Sequence, residues 1–313
     1  MSRLLSQFSE CKLGFGSASI SGEGKGYGFG PISENESIKL LNSAKENGIK
    51  LFDTAPIYGF GLAEKRIGKA FRSCREDVFL ASKSGVSWHD NGRVNMSNDP
   101  KIARKMIEQS LRDLQTDYID LYMVHWPDHK FDIRQTLEEL AKAKLEGKIK
   151  HIGLCNTNIE EIELASEVDE IEVVQSEFNF FQSQIIDELF SYLNKNNISF
   201  MSWGTLDKGI LTGRVHKDRK FEKDDCRSNA PWWKAMDKDS RYQTMEKIKP
   251  LLEKNNFSGL DLALNYNLSH DIVDIALCGA RSIDQLMSLL ESYKKNMPKD
   301  LLEELKSMRQ EKY

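Results

Sequence analysis

Asp53 and Tyr58 in DTAPIYG, Lys83 in FLASK and His125 in DLYMVHW supply a carboxylate, a phenol, an ammonium and an imidazole. Brought together, they make a tyrosine proton donor. A free tyrosine, with a pKa of about 10, is a poor acid near neutral pH, and a neighbouring Lys⁺ favours phenolate and lowers that pKa. A buried Lys83 in turn needs a carboxylate such as Asp53 beside it. Taken singly, each residue has a plainer reading. Asp53 is then a helix N-cap, Tyr58 an aromatic at the edge of the core, Lys83 a side chain reaching to solvent, and His125 a hydrogen-bonded core histidine. Jointly they are harder to dismiss, because they fall at the C-terminal ends of the second, third and fourth predicted strands.

Eight short apolar runs read as those strands: Lys12–Ser17, Ile49–Thr54, Asp77–Lys83, Tyr118–His125, Ile149–Cys155, Glu172–Phe178, Ile198–Trp203 and Val273–Gly279. Between them lie helical patterns over Glu34–Asn47, Ala103–Leu114, Ile133–Glu146 with Gly147 as C-cap, Gln184–Asn194 and Leu260–Leu268. The strands are near-continuously apolar instead of alternating, which indicates a parallel sheet covered on both faces. Eight strand–helix units predict an α/β fold closed as a (β/α)8 TIM barrel. A doubly wound open sheet carries the same local signature. The 313 residues suit one such domain, for which roughly 250 are typical, and no linker or composition shift divides them.

The formal charge is −4, with Lys and Arg interspersed among Asp and Glu, so no basic stripe for nucleic acid or a membrane surface is present. No run approaches the roughly 20 apolar residues that span a bilayer, and MSRLLSQFSECK lacks the apolar segment of a secretory signal. Cys11, Cys74, Cys155, Cys226 and Cys278 are odd in number, widely spaced and without a CxxC pair, which argues against a disulfide framework or a zinc site. A soluble, cytoplasmic protein with a small-molecule partner is expected.

Two long loops, Ser21–Ile32 after the first strand and His216–Lys234 after the seventh, would lie on the C-terminal face, where barrel enzymes place their sites. In the first loop Gly22, Gly24, Gly26, Gly28 and Gly30 alternate strictly and nowhere satisfy a GxGxxG fingerprint. The loop reads as a lid over the site or as a plain mobile surface loop. Trp88, Trp126, Trp203, Trp232 and Trp233 all fall at or beyond predicted strand ends. Such rings stack on sugar faces or enclose apolar carbonyls, or simply pack loops onto the barrel mouth.

DTAPIYG followed by GLAEKRIGKAF, then FLASK, DYIDLYMVHWPD, GKIKHIGLCN, QSEFN, WGTLDKGILTG and GARSIDQL, closely resembles the aldo-keto reductase superfamily from end to end. The resemblance implies a (β/α)8 barrel that binds NADP(H), in preference to NAD(H), in an extended pose without a Rossmann fold. It carries the catalytic tetrad onto Asp53, Tyr58, Lys83 and His125. A hydride then passes from the dihydronicotinamide to the carbonyl carbon of an aldehyde, ketone or sugar, and Tyr58 protonates the oxygen. Lys83, held by Asp53, makes the phenol more acidic, and His125 orients the carbonyl.

By the same resemblance Asn156 and Gln175 hydrogen-bond the nicotinamide carboxamide, and Trp203 stands where the family usually has a stacking tyrosine. Backbone amides around Leu206, Lys208, Gly209 and Leu211 cradle the pyrophosphate, near Gly279 of the GARS motif. Arg281 meets the adenosine 2′-phosphate and Gln285 the adenosine, while Trp88, Trp126, Trp232 and Trp233 are candidate substrate contacts. Departures exist. Cys155 replaces the usual serine before Asn156, removing a good hydrogen bonder, Leu289 stands where an asparagine often meets adenine, and Gly204-Thr205 replaces a Ser-Pro. Two alternatives stay open. One is a cofactor-sensing regulatory subunit resembling potassium-channel β subunits. The other is a biosynthetic sugar or nucleotide-sugar oxidoreductase, in which Lys25, Arg227 and Lys234 meet phosphate or carboxylate.

Overall fold

The structure, a computed structural model, describes residues 3–22, 25–185 and 187–309; Gly24 and the side chain of Lys25 lie outside the described residues. Eight parallel strands are β1 (Leu13–Gly16), β2 (Leu51–Asp53), β3 (Phe79–Ser84), β4 (Ile119–Val124), β5 (Ile149–Cys155), β6 (Val173–Glu177), β7 (Ser199–Trp203) and β8 (Val273–Cys278). Each pairs with its neighbour in sequence, and β8 pairs with β1, so the sheet is the closed (β/α)8 barrel and not an open sheet.

Strand parity decides which side chains enter the barrel. Leu51, Phe79, Ala81, Leu121, Met123, Val173, Met201, Ile275 and Leu277 form the inner cluster, while Phe52, Leu80, Tyr122 and Phe200 face the helices in the larger outer core. Counting by two from Leu51 reaches Asp53, and from Phe79 through Ala81 reaches Lys83, so both polar groups point inward at the top of the barrel. Space inside is tight. A Cβ on Gly14 would come 2.7 Å from Leu277, and one on Gly153 2.7 Å from the Val173 carbonyl.

A short helix, Leu4–Phe8, closes the N-terminal end of the barrel. Leu5 is buried in the inner cluster and its N–H donates to Ser199 Oγ at the start of β7 (3.0 Å), while Phe8 packs on Phe79 at the start of β3. The C-terminal end is left as the open mouth.

Local rules account for most helix boundaries, with two shifts from the expected ranges. One helix starts earlier, at Pro100–Asp113, because Asp99 accepts from Lys101 N (2.8 Å) and proline is favoured in the first turn. Another starts later, at Leu189–Lys195, after chain that Asn179 Oδ1 holds in a tight turn by accepting from Phe181 N and Gln182 N. The helices Lys238–Lys254 and Lys299–Ser307 add to the expected set. Among the described residues no helix is long and apolar enough to cross a membrane, and all five cysteines are free thiols.

The helix Leu62–Phe71 carries Glu64 into the layer between barrel and helices, where it is fully buried and accepts from Ser82 Oγ (2.6 Å). Burial pushes its carboxyl up to about 7. The folded state therefore holds this proton more tightly than the unfolded chain, whose glutamate titrates near 4.3. Its stabilisation is complete below that value and is lost as pH rises through about 7. Denaturant titrations of the wild type should show a loss on the order of 3 kcal/mol between pH 4.5 and pH 8 from this group, and Glu64→Gln should remove that component of the slope.

Candidate active site

The turn after β2 presents Tyr58. Its N–H donates to the Ala55 carbonyl (3.0 Å), and Gly59 follows at φ 66°, where a Cβ would lie 2.2 Å from the Ser21 carbonyl. Glycine is required there because the first loop crosses this turn, with Gly59 N donating to Gly26 O (3.0 Å). His125 follows β4 directly and is fixed by donation from its N–H to Ser84 O (2.9 Å).

Lys83 has no exposure to solvent, and its Nζ donates to Asp53 Oδ1 (2.8 Å), Asp53 Oδ2 (2.7 Å) and the Thr54 carbonyl (2.9 Å). All three ammonium donors thus have acceptors. The Tyr58 ring lies 5.4 Å from Lys83 Nζ and meets the His125 ring edge-on at 6.0 Å between centroids. The four residues expected from the sequence are therefore together, with Tyr58 and His125 lining the cleft and Lys83 behind them.

Electrostatics refine the sequence expectation for the phenol. Burial is the largest influence on Tyr58 and, although Lys83 pulls the other way, the phenol is pushed up to about 12. It is protonated at neutral pH, the state a proton donor needs. Burial is the largest influence on Lys83 and opposes its charge, but Asp53, Tyr58 and Cys155 together outweigh it and hold the ammonium above the usual lysine range. His125 lies well below its ordinary range, through burial first and Lys83 second, so it is a neutral imidazole.

Beside the tetrad, Asn156, at φ 59°, donates from Nδ2 to the His125 carbonyl (3.0 Å) and to Cys155 Sγ (3.1 Å), and its Oδ1 accepts from Trp203 Nε1 (2.8 Å). Gln175 Nε2 donates to Asp53 Oδ2 (2.9 Å), and its Oε1 accepts from the Cys155 thiol (3.3 Å). Burial pushes that thiol up, so it stays S–H and can donate. Cys155 thus keeps a hydrogen-bonding role that its place in the sequence did not suggest. One connected chain runs from Lys83 through Asp53, Gln175, Cys155 and Asn156 to Trp203.

Farther along the cleft, Lys208 pairs with Glu177 and sits 5.4 Å from the Trp203 ring. Asp207, Lys208 and Gly209 all have positive φ, in a tight turn where Asp207 N donates to the Gly204 carbonyl (2.7 Å) and Gly209 N to the Leu206 carbonyl (2.9 Å). Arg227 donates to the Lys208 carbonyl (2.7 Å), is bidentate on Asp225, and lies 4.2 Å from the Phe221 ring. The two long loops meet here: Phe29 bridges to Asp225 and Cys226 N donates to Gly28 O (2.8 Å). Arg281 Nη2 donates to the Pro31 carbonyl (2.7 Å), tying the segment after β8 to the first loop. Gln285 Oε1 accepts from Arg281 N (2.9 Å).

These groups wall a continuous cleft of about 1470 Å³. Leu206, Lys208, Gly209, Gly279, Arg281 and Gln285 line it, as do Trp126, Trp203 and Trp232. The side chains of three expected residues lie outside the lining. Leu211 is fully buried in the outer core, Trp233 is buried against Phe221, and Trp88 stacks on Phe60 at 4.9 Å outside the lining. Trp232 and Trp233 occupy a short helix, Pro231–Ala235, whose two neighbouring rings point to different surroundings. Sequence reasoning missed the hairpin Val86–Trp88 with Val94–Met96, which brings Val86 and Met96 to the cleft. Its signal is Asn91-Gly92 between two short alternating runs.

A family model described as "Aldo/keto reductase family" matches residues 12–310. The chain belongs to the aldo/keto reductase family. It is 34% identical over 283 residues to aldo-keto reductase YhdN of Bacillus subtilis (strain 168), covering 90% of this chain and 84% of that protein. It is 28% identical over 288 residues to the NADH-specific methylglyoxal reductase of Escherichia coli (strain K12), covering 88% and 87%. Among solved structures, the glycerol dehydrogenase AKR11B4 from Gluconobacter oxydans matches with a TM-score of 0.81 and 29% identity, covering 95% of this chain and 90% of that one. Family membership makes the chain an oxidoreductase working with a nicotinamide cofactor.

The residues present fit such a cofactor. Gly209 and Gly279 leave the lining of the cleft close to backbone, and Arg281 Nε is buried without a hydrogen-bond partner among the described residues. A guanidinium with an unused donor suits an anionic group.

The candidate tetrad is built around a buried ion pair, Lys83–Asp53, which can be tested by stability alone. Lys83→Met should cost about 3–5 kcal/mol in denaturant unfolding by leaving Asp53 buried and uncompensated, and Lys83→Met with Asp53→Leu should recover most of that loss.

Proposed function

We propose that this protein reduces an aldehyde, ketone or sugar carbonyl to the alcohol with NADP(H), Tyr58 acting as general acid. The observation that carries the proposal is the protonated Tyr58 phenol lining the cleft beside neutral His125, with the buried Lys83–Asp53 pair 5.4 Å from its ring. When bound, the dihydronicotinamide supplies the hydride that the carbonyl carbon accepts.

The chain's own residues do the rest. Tyr58 O–H gives its proton to the carbonyl oxygen as negative charge develops there. Lys83 stabilises the phenolate left behind, and Asp53 keeps that ammonium charged and placed. Neutral His125 offers a hydrogen bond to the carbonyl oxygen and orients it without competing as an acid. Asn156 and Gln175 would hydrogen-bond the carboxamide, and Trp203 would offer the stacking face. Leu206, Lys208 and Gly209 would meet the pyrophosphate, with Gly279 leaving room and Gln285 meeting the adenosine; all of them line the cleft.

Arg281 supports NADP(H) over NAD(H), because its buried, unused Nε and its place against the first loop suit a 2′-phosphate. One relative is named as NADH-specific, so substitution of Arg281 is the direct test of the preference.

Tyr58→Phe should lower kcat for every carbonyl substrate by on the order of 10²–10⁴ while cofactor binding, read by tryptophan fluorescence, persists; undiminished turnover would refute the acid role. Arg281→Ala should weaken NADPH binding by about tenfold or more and NADH binding much less; equal losses would remove the basis for NADP(H) preference.

A further inference from the structure

We infer that Glu64 is a positioning residue for the proposed proton transfer: through Ser82 it fastens the helix that braces the Tyr58 turn onto the strand that carries Lys83. The inference rests on the proposed carbonyl reduction and adds to it a residue outside the cleft.

The helix Leu62–Phe71 begins on the turn that presents the phenol. Leu62 N donates to the Gly59 carbonyl (3.3 Å) and Ala63 N to the Tyr58 carbonyl (3.2 Å), so the start of the helix holds the backbone of Tyr58 directly. No side chain caps this helix end, whose N-cap is Gly61 at φ 88°. Glu64 lies in the first helical turn and is fully buried. It accepts from Ser82 Oγ (2.6 Å), and Ser82 is the outward-facing neighbour of Lys83 on β3. One side-chain hydrogen bond therefore links the segment bearing the phenol to the strand bearing the ammonium. The helix is closely seated as well, since a Cβ on Gly68 would lie 2.6 Å from the Leu114 backbone.

The link is best satisfied with a proton on Glu64. Its Oε2, Ser110 Oγ and Tyr122 OH are buried without a hydrogen-bond partner, and Ser110 stands near both of the others. A protonated Oε2 becomes a donor facing hydroxyl oxygens, so the neutral acid accepts from Ser82 and also has acceptors for its own O–H. The charges around it come from each element packed there. Asp113, on the helix Pro100–Asp113, is buried and repels a second carboxylate, while Lys83 on β3 attracts one but already donates to Asp53. From β4 comes the Tyr122 phenol, which burial keeps protonated. On its own helix, Lys65 lies 3.9 Å from Asp113 with its side chain half exposed, and Arg66 donates to the Ile20 and Ile32 carbonyls. Burial outweighs the attraction of Lys83 and pushes the Glu64 carboxyl up to about 7. The link is therefore complete below that pH and weakens as pH rises through it.

Glu64 does not line the cleft, so its loss should act on the chemical step and leave cofactor binding in place. A small misplacement of a proton donor costs rate steeply.

The test compares Glu64→Gln, Glu64→Ala and Ser82→Ala in the full chain. It reads kcat for methylglyoxal, glyceraldehyde and benzaldehyde between about pH 5.5 and pH 8.5, and NADPH affinity by tryptophan fluorescence. Both alanine variants should lose about tenfold or more in kcat at pH 6, while NADPH affinity stays within about twofold. Glu64→Gln can still accept from Ser82 and donate in place of the acid. It should keep kcat at pH 6 within about threefold and lose the decline that the wild type shows as pH rises through about 7. Infrared difference spectra of the wild type at pH 6 should show the carbonyl stretch of a protonated carboxylic acid that is missing from Glu64→Gln. If Glu64→Ala fails to fold, Ser82→Ala carries the kcat comparison. Undiminished kcat in Ser82→Ala, a loss of NADPH affinity as large as the loss in kcat, a pH decline that persists in Glu64→Gln, or absence of the infrared band would overturn the inference while leaving carbonyl reduction intact. No turnover by the wild type with NADPH or NADH would instead overturn the proposed function, and this inference with it.

Discussion

Everything at the barrel mouth depends on a lysine ammonium with no exposure to water. Taking Lys83 out of solvent carries a large desolvation cost, and only close partners in fixed positions offset it. Two carboxylate oxygens of Asp53 and the Thr54 carbonyl provide them. That requirement ties the end of β2 to β3. It also concentrates a positive charge beside the Tyr58 ring, where it pulls the phenol down against the effect of burial and repels a proton from His125. Burial and this one charge together set the states of the phenol and the imidazole.

The pair is held by more than its own attraction. Gln175, on β6, reaches Asp53 from across the barrel, and Cys155 and Asn156, at the end of β5, link it to Trp203 at the end of β7. Strand ends that are far apart in sequence are thus joined through side chains, and no member of this chain is left as a lone buried polar group. The thiol at Cys155 is part of this economy. It is weaker than a hydroxyl as a donor, yet it bonds both amides without adding a charge next to Lys83. The long loops add the outer wall, since the first loop both braces the Tyr58 turn through Gly26 and meets the second at Phe29 and Asp225.

Much of the architecture is legible along the chain because it comes from short-range rules. Apolar runs of strand length at steady spacing yield eight strands, and parity along β2 and β3 alone places Asp53 and Lys83 on the inner face. The motifs of the family then point to Tyr58 and His125. Legibility fails where packing chooses between equal candidates. Trp232 and Trp233 are adjacent and identical in type, but one lines the cleft and the other is buried against Phe221. Leu211 is expected to offer its backbone amide, and its side chain packs in the outer core. Trp88 looks like a rim aromatic until the Asn91-Gly92 hairpin folds it onto Phe60.

By itself, then, the sequence determined the eight strand–helix units and, through its motifs, the family, because strand length, helical periodicity and motif order are properties of neighbouring residues. Tertiary structure alone decided the state of the groups and what surrounds them. That the Tyr58 phenol is pushed up to about 12 despite Lys83 depends on how deeply it is packed. That Gln175 bonds Asp53 and that Cys155 bridges two amides depend on which strand ends meet across the barrel mouth. Burial and contact between residues more than a hundred positions apart are set by closure of the barrel, and no local pattern encodes them.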